Sequence, residues 1–157
     1  MVTGKVLGAL TGATIAVVGL TPTASAEVAA AAACQHTSGG GTTVSRAPVP
    51  GYGEIQLCRD GDYRYWGFLV LNNPPSVSQY GQAYLRRYRN SVPYPDTDFT
   101  CDSAGGNGKI LPVPPQTRCW TPKLDGAAGV YTFEAEGRVY SSHTGTVLSR
   151  GYTARTR

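Results

Sequence analysis

The sequence predicts an all-β fold, an antiparallel sandwich or barrel of about seven or eight short strands that disulfides stabilise. Two observations favour this class. Short apolar or alternating runs are separated by turn residues, and the chain contains 20 glycines and 11 prolines, which suit many turns. Four cysteines, an even number, follow a segment typical of exported proteins, which indicates a disulfide framework.

Residues 1–26 are predicted to form a signal peptide that is cleaved after Ala26. Lys5 gives a positive start, and the apolar stretch 6–20 is about 15 residues long, shorter than the ~20 that span a bilayer. The small residues 24–26 then fit a signal peptidase. Ala31, Ala32 and Ala33 precede Cys34 as in a lipoprotein cleavage site, but a lipid-anchored cysteine would follow the apolar stretch directly. We therefore expect a secreted, extracellular protein without a membrane span.

The remaining chain is predicted to contain a flexible Ala/Gly-rich segment, 27–41, and a single β domain, 42–157. Removal of Lys5 with the signal lowers the basic residues from 14 to 13, so that 10 acidic residues leave a net charge of +3. Such a mild charge does not require a nucleic acid or an anionic membrane as partner. Arginine supplies 11 of the 14 basic residues, and alanine and glycine are abundant, which is typical of a high-GC bacterial genome.

The four cysteines allow three disulfide pairings, and we prefer Cys34–Cys58 with Cys101–Cys119 because these pairings close the shorter loops. The chain has no Cys-x-x-Cys pair, so the spacing does not fit a zinc site. An Asp-rich segment, 96–102, departs from the EF-hand pattern, with Cys101 where that loop requires glycine. We expect neither a metal nor another cofactor.

The strand signals differ in clarity along the chain. Residues 63–71 are rich in aromatic and branched side chains at both parities, which predicts a central strand covered on both faces. Residues 79–90 carry tyrosines four apart, a spacing that suits a helix or a strand, and the surrounding β pattern favours the strand. Residues 130–136 alternate between apolar and polar, and 146–153 is predicted to be their hairpin partner. Trp66 is expected in the core and Trp120 on the disulfide beside it.

The segment between Cys101 and Cys119 suggests a first function, that of a binding or inhibitor loop. It contains Lys109, Ile110 and Leu111, followed by several prolines. A disulfide at its base and prolines along it would hold the loop extended, and such preorganisation lowers the cost of binding. We expect a non-catalytic extracellular module that acts on a protein or a wall polymer. The oligomeric state is not predicted.

The alternative function is that of a small secreted hydrolase with ribonuclease-like chemistry. Such an enzyme needs a general base, a general acid and a cation for the phosphate. Glu134, Glu136 and Arg138 are predicted to share one face of a strand, and His143 lies in the turn that follows. The competing interpretation of these four residues is a solvated strand face with an exposed histidine.

A cluster of arginines among the tyrosines of 79–90 raises the question of nucleic acid binding. On a strand, Arg87 and Arg89 share one face while Arg86 joins the tyrosines on the other. The positive charge is then divided between two faces, and we predict no specific nucleic acid partner.

Overall fold

The computed structural model describes residues 33–95 and 98–157. The predicted signal peptide lies outside the described residues. The described chain is all-β, with a single 3₁₀ turn at Ala127–Gly129. Its ten strands, numbered in chain order, are β1 (Thr42–Val49), β2 (Gly53–Arg59), β3 (Arg64–Leu71), β4 (Gln79–Arg89), β5 (Val92–Pro93), β6 (Phe99–Thr100), β7 (Arg118–Trp120), β8 (Leu124–Asp125), β9 (Thr132–Ser141) and β10 (Val147–Tyr152).

The strands form two antiparallel sheets of five strands each. Sheet A has the order β1-β2-β3-β7, and β8 also pairs with β3. Sheet B has the order β10-β9-β4-β5, and β6 also pairs with β4. The predicted central strand is confirmed as β3, because it has neighbours on both edges and side chains buried on both faces. No helix among the described residues is long and apolar enough to cross a membrane.

The two sheets bury one common core between them. Alternate residues of β2 and β3, such as Ile55 and Leu69, face Leu85 and Phe133 of sheet B, and all four side chains are fully buried. Tyr65 stacks on Phe133 across the two sheets, with ring centres 4.3 Å apart. Because side chains alternate along a strand, each sheet also presents an outer face.

Residues 34–41, predicted to be flexible, pack against the outer face of sheet A. Cys34 is bonded to Cys58 on β2, and the indole nitrogen of Trp66 donates to the carbonyl oxygen of Gln35 at 2.9 Å. Lys123 donates to the carbonyl oxygen of Gly39 at 2.8 Å. This segment therefore covers the part of the outer face of sheet A around Cys58 and Trp66.

Both preferred disulfides are confirmed, Cys34–Cys58 and Cys101–Cys119. They lie on opposite faces of sheet A, because Cys119 faces the core and Cys58 faces the N-terminal segment. Trp120 follows Cys119 directly and therefore points to the other face of β7. Trp120 accordingly packs against the cluster of Cys34, Cys58, Trp66 and Phe68, with its ring centre 6.3 Å from that of Phe68, and the expectation that it packs on its neighbouring bridge was wrong.

The ambiguous segment 79–90 is a strand, β4, and the predicted hairpin of the C-terminal region is formed by β9 and β10. β9 is longer than predicted and continues to Ser141. The predicted polar face of this strand is not uniformly wet, because the side chain of Glu136 is fully buried. Neighbouring arginine side chains cover its carboxylate, as described below.

Candidate binding surface on sheet B

The outer face of sheet B is built from the alternation of β4. Gly81, Ala83 and Leu85 point toward the core and are buried. The intervening residues must then point outward, since successive side chains of a strand face opposite sides. This outward set contains mostly tyrosine, together with one arginine and one glutamine: Tyr80, Gln82, Tyr84, Arg86 and Tyr88.

The register with β9 places a second polar row beside the first. Tyr80 pairs with Tyr140, and Tyr84 pairs with Glu136. The rings of Tyr80 and Tyr140 stack with their centres 4.8 Å apart and an interplanar angle of 11°. Tyr152 of β10 pairs with Glu136 on the other side. Three neighbouring strands thus contribute side chains to one continuous surface.

Each tyrosine of β4 on this surface is capped by a cation from a different element. We call Tyr80, Tyr84 and Tyr88 the tyrosine row. Lys109 Nζ lies 5.3 Å from the ring centre of Tyr80, and Arg138 Cζ lies 4.4 Å from that of Tyr84. Arg155 Cζ lies 3.5 Å from the ring centre of Tyr88. Cations over aromatic faces are favourable, so these contacts order both partners.

A buried carboxylate holds the arginines of the surface in place. Glu136 is fully buried and accepts hydrogen bonds from Nε of Arg138 and, at 2.8 Å, from its Nη2. Arg86 Nη1 lies 2.8 Å from the same carboxylate. Burial alone would raise the pKa of Glu136, but the hydrogen bonds from Arg138 and Arg86 outweigh it and lower the pKa below its ordinary value. The carboxylate therefore stays ionised between two guanidinium groups.

The tyrosine hydroxyls are tied into the same network. The hydroxyl oxygens of Tyr84 and Tyr140 are 2.7 Å apart, and Arg138 Nη1 donates to Tyr140 at 2.9 Å. Burial and the hydrogen bond with Tyr140 raise the pKa of Tyr84. Burial and the nearby charge of Glu134 raise the pKa of Tyr88. The hydroxyls of Tyr84 and Tyr88 therefore remain protonated at neutral pH, and their hydrogen bonds hold the two side chains in place.

The charges on the surface are mixed rather than uniformly positive. Asp98 accepts from Arg86 Nε at 3.0 Å, and Glu134 accepts from the Tyr88 hydroxyl at 3.3 Å. Arg150 on β10 is exposed and donates to the hydroxyl of Tyr152 at 3.3 Å. Cations and carboxylates thus alternate, and the surface has no extended field of one sign.

The structure brings together some of the residues predicted for a hydrolase but not all. Glu136 and Arg138 form an ion pair, and Glu134 lies 3.9 Å from Arg86 Nη1. His143 lies in the turn between β9 and β10, is exposed, and forms no hydrogen bond or ion pair with any described residue. His143 is therefore not hydrogen-bonded to Glu134 or to Glu136.

The three residues of the predicted binding loop have different environments. Ile110 is fully buried and pairs with Gly81, with hydrogen bonds of 2.8 and 3.0 Å between their backbones. Lys109 is half-buried over Tyr80, and Leu111 is 37% exposed. The loop is therefore anchored at its centre, and its accessible side chains border the tyrosine row.

Sequence reasoning missed several residues of this surface. Tyr140 and Tyr152 could have been found, because they share the outward parity of their strands with Glu136 and Arg150 respectively. No sequence pattern indicates that Arg155 belongs to this surface, since it lies beyond the last strand. It reaches Tyr88 because Thr156 pairs with Phe133 and lays the C-terminal residues beside β9.

The fold and this surface define a small disulfide-linked β protein with a Tyr–Arg network on the outer face of its second sheet. Within the described residues, no group of three or more His, Cys, Asp or Glu side chains could hold a metal ion. Comparison with protein-family models, with curated proteins and with solved structures gave no significant match.

Proposed function

We propose that this chain is a secreted binding module that recognises another protein through the outer face of sheet B. The observation that carries the proposal is the fixed Tyr–Arg network on the outer face of sheet B, with exposed Tyr152 and Arg150 on its edge strand β10. Tyrosine and arginine dominate the energetically important positions of protein interfaces. Side chains that are ordered before binding lose less entropy on association.

Accessibility on this face supports the same proposal. Tyr152 is 44% exposed and adjoins the exposed Arg150. No described segment covers these two side chains, whereas residues 34–41 cover Trp66 and Cys58 on the outer face of sheet A. A partner that contacts the β10 edge of this face can therefore bury exposed Tyr152 and Arg150, and buried aromatic and guanidinium groups contribute strongly to binding.

A protein partner is favoured over a wall polymer by the state of the tyrosine rings. A sugar stacks on a free aromatic face, but Tyr84 and Tyr88 each have a guanidinium over the ring. Tyr88 and Tyr140 are also only 7% exposed. A polyanion would require a surface of one charge, and here Glu134 and Asp98 lie among the arginines.

The alternative of a small hydrolase is supported only by the pairing of Glu136 with Arg138 and Arg86. A general base must reach the proton it removes. Glu136 is fully buried, and both of its oxygens accept from guanidinium groups. The binding proposal requires no such access, because in it Glu136 serves to position arginine side chains.

The test is site-specific photo-crosslinking with the mature, disulfide-bonded chain. A benzophenone amino acid replaces Tyr152 in one protein and Tyr63 in another, which serves as the control. The two tyrosines are 44% and 46% exposed, and Tyr63 lies in the turn between β2 and β3. Each protein is irradiated in culture medium and with washed cells of its native host.

A discrete protein adduct at position 152, absent at position 63, is the expected result. Tyr152→Ala and Arg150→Ala should each weaken binding of that protein by about fivefold or more, whereas Tyr63→Ala should leave it unchanged. Adducts at both positions, or at neither, would contradict the proposal. Retention on purified wall material without any protein adduct would assign the surface to a polymer instead.

A further inference from the structure

A surface groove lies at one end of the tyrosine row, with a volume of ≈ 390 Å³. It is bordered by the residues that precede and begin β4, by the 101–119 loop, and by the residue that follows β9. Pockets for small ligands or single side chains begin at about this size. The residues that line the groove include Val77, Tyr80, Lys109, Leu111, Val113 and Ser142.

One wall of the groove is aliphatic and exposed. Val77 is 82% exposed, Val113 is 73% exposed and Leu111 is 37% exposed. Single exposed apolar residues are ordinary, but three branched side chains around one concavity form an apolar lining. The wall is held in position because Ile110, next to Leu111, is fully buried and bridged to Gly81.

The other side of the groove carries hydrogen-bond donors. Lys109 forms no ion pair with any residue that the structure describes, and its ammonium group lies over Tyr80. The hydroxyl groups of Tyr80 and Ser142 likewise have no hydrogen-bond partner among the described residues. Burial raises the pKa of Tyr80, which keeps its hydroxyl protonated and able to donate. One cation and two hydroxyls thus border an apolar wall. The carboxylate of Asp102 also lies near, since it accepts from the backbone N–H of Lys109 at 2.9 Å and its charge adds to the rise in the pKa of Tyr80.

We propose that this groove binds the carboxyl-terminal residue of a partner polypeptide. Its aliphatic side chain lies against Val77, Leu111 and Val113, and its carboxylate accepts from Lys109 and the adjacent hydroxyls. A chain terminus carries an apolar side chain and a carboxylate on one α-carbon, which matches a small groove lined by both kinds of group. Capture of a terminal carboxylate is an established mode of peptide recognition.

The inference rests on the proposed function, since the groove and the Tyr–Arg surface share Tyr80. A partner bound across sheet B can therefore place its last residues in the groove without a gap between the two contacts. Charge complementarity is the argument for this occupant, because Lys109 supplies a positive charge at the groove that forms no ion pair with another described residue.

The experiment is an NMR titration of the mature, disulfide-bonded protein with N-acetylleucine and, separately, with N-acetylleucine amide. These probes differ in the carboxylate alone. The acid is expected to bind in the range of about 1–10 mM, in keeping with its size, and to shift resonances of Tyr80 and residues 109–113. The amide should bind about fivefold more weakly, because it lacks the ion pair with Lys109.

Lys109→Gln should remove the difference between the two probes, and Val77→Ser should weaken both. Arg46→Gln, a change at an exposed cation on β1, serves as the control and should alter neither. Equal affinity for acid and amide, or shifts only outside the groove, would overturn the inference. If the crosslink at position 152 forms nevertheless, the protein-binding proposal stands and only the carboxylate site is lost. If the protein binds the acid more tightly than the amide but no crosslink forms at position 152, the carboxylate site is supported and the proposed interface on sheet B is contradicted.

Discussion

Arg138 bends back along its own strand and places both Nε and Nη2 on the carboxylate of Glu136, two residues earlier. The same arginine stacks over Tyr84 and donates to the hydroxyl of Tyr140. One side chain thus connects the buried carboxylate of sheet B to two tyrosines on its outer face.

Glu136→Gln should destabilise the protein by about 2 kcal/mol. Breaking a buried pair commonly costs ~3–5 kcal/mol, but the two arginines left behind are about a quarter exposed, so solvent reduces the penalty. Urea unfolding monitored by tryptophan fluorescence measures the change. Glu134→Gln, at a side chain that is 21% exposed, is the matched control and should cost less than ~1 kcal/mol. Equal losses in both variants would contradict the role assigned to Glu136.

The same carboxylate should make stability depend on pH in the acid range. Because hydrogen bonds from Arg138 and Arg86 lower its pKa in the folded protein despite burial, Glu136 stabilises the fold fully above 4.5, its ordinary value. That contribution to stability is lost as the pH falls through the pKa that Glu136 has in the folded protein, which is lower. Unfolding free energies measured from pH 6 to pH 2 should show a steeper acid loss in the unmutated protein than in Glu136→Gln. Parallel curves would argue against a depressed pKa.

His36 should produce a second, separate pH dependence. Its ring lies 5.6 Å from that of Trp66 and 6.0 Å from that of Trp120, and burial, with a smaller effect of Lys123, lowers its pKa. The unfolded state gains the proton first as the pH falls below 6.5, so stability declines from there down to the folded pKa. Tryptophan fluorescence should follow the same protonation in the folded state.

The control for that titration is the exposed His143. His36→Asn should abolish the fluorescence transition and flatten the stability curve between pH 7 and pH 5, whereas His143→Asn should leave both unchanged. A transition that persists in His36→Asn would assign the effect to another group.

Removal of either disulfide should cost about 3 kcal/mol, since the bonded cysteines are separated by 24 and 18 residues. The two double Cys→Ser variants should nevertheless differ in a second property. Loss of Cys34–Cys58 should release residues 34–41 and expose Trp66, which a red shift of its fluorescence detects. Loss of Cys101–Cys119 should leave that emission unchanged and weaken N-acetylleucine binding. Identical spectra in both variants would contradict this division.

The sequence predicted the sheet structure and the disulfides better than it predicted the surface. Period-two patterns and turn residues place the strands, and short loops favour the observed cysteine pairs. The network on sheet B depends on which residues of neighbouring strands lie opposite each other. This register cannot be predicted from the sequence of a single strand. Nothing near Tyr84 in sequence indicates that Arg138 caps it, and the partners of Tyr88 and Tyr80 come from two further elements.

Burial of Glu136 could not be anticipated for a related reason. Alternation along β9 correctly places Glu136 on the outward face. The pattern does not show that the side chains of Arg86 and Arg138 lie over its carboxylate. The interpretation of Trp120 failed on a simpler point, because adjacent residues of a strand never share a face.

The Cys34–Cys58 bond attaches the beginning of the described chain to the side of the molecule remote from sheet B. A dye, bead or carrier protein joined just ahead of Cys34 would consequently stand behind the domain, with Tyr152 and the tyrosine row turned away from the support. Attachment after Arg157 would instead place the support next to the tyrosine row, because the C-terminal residues run beside β9 and Arg155 lies over the ring of Tyr88.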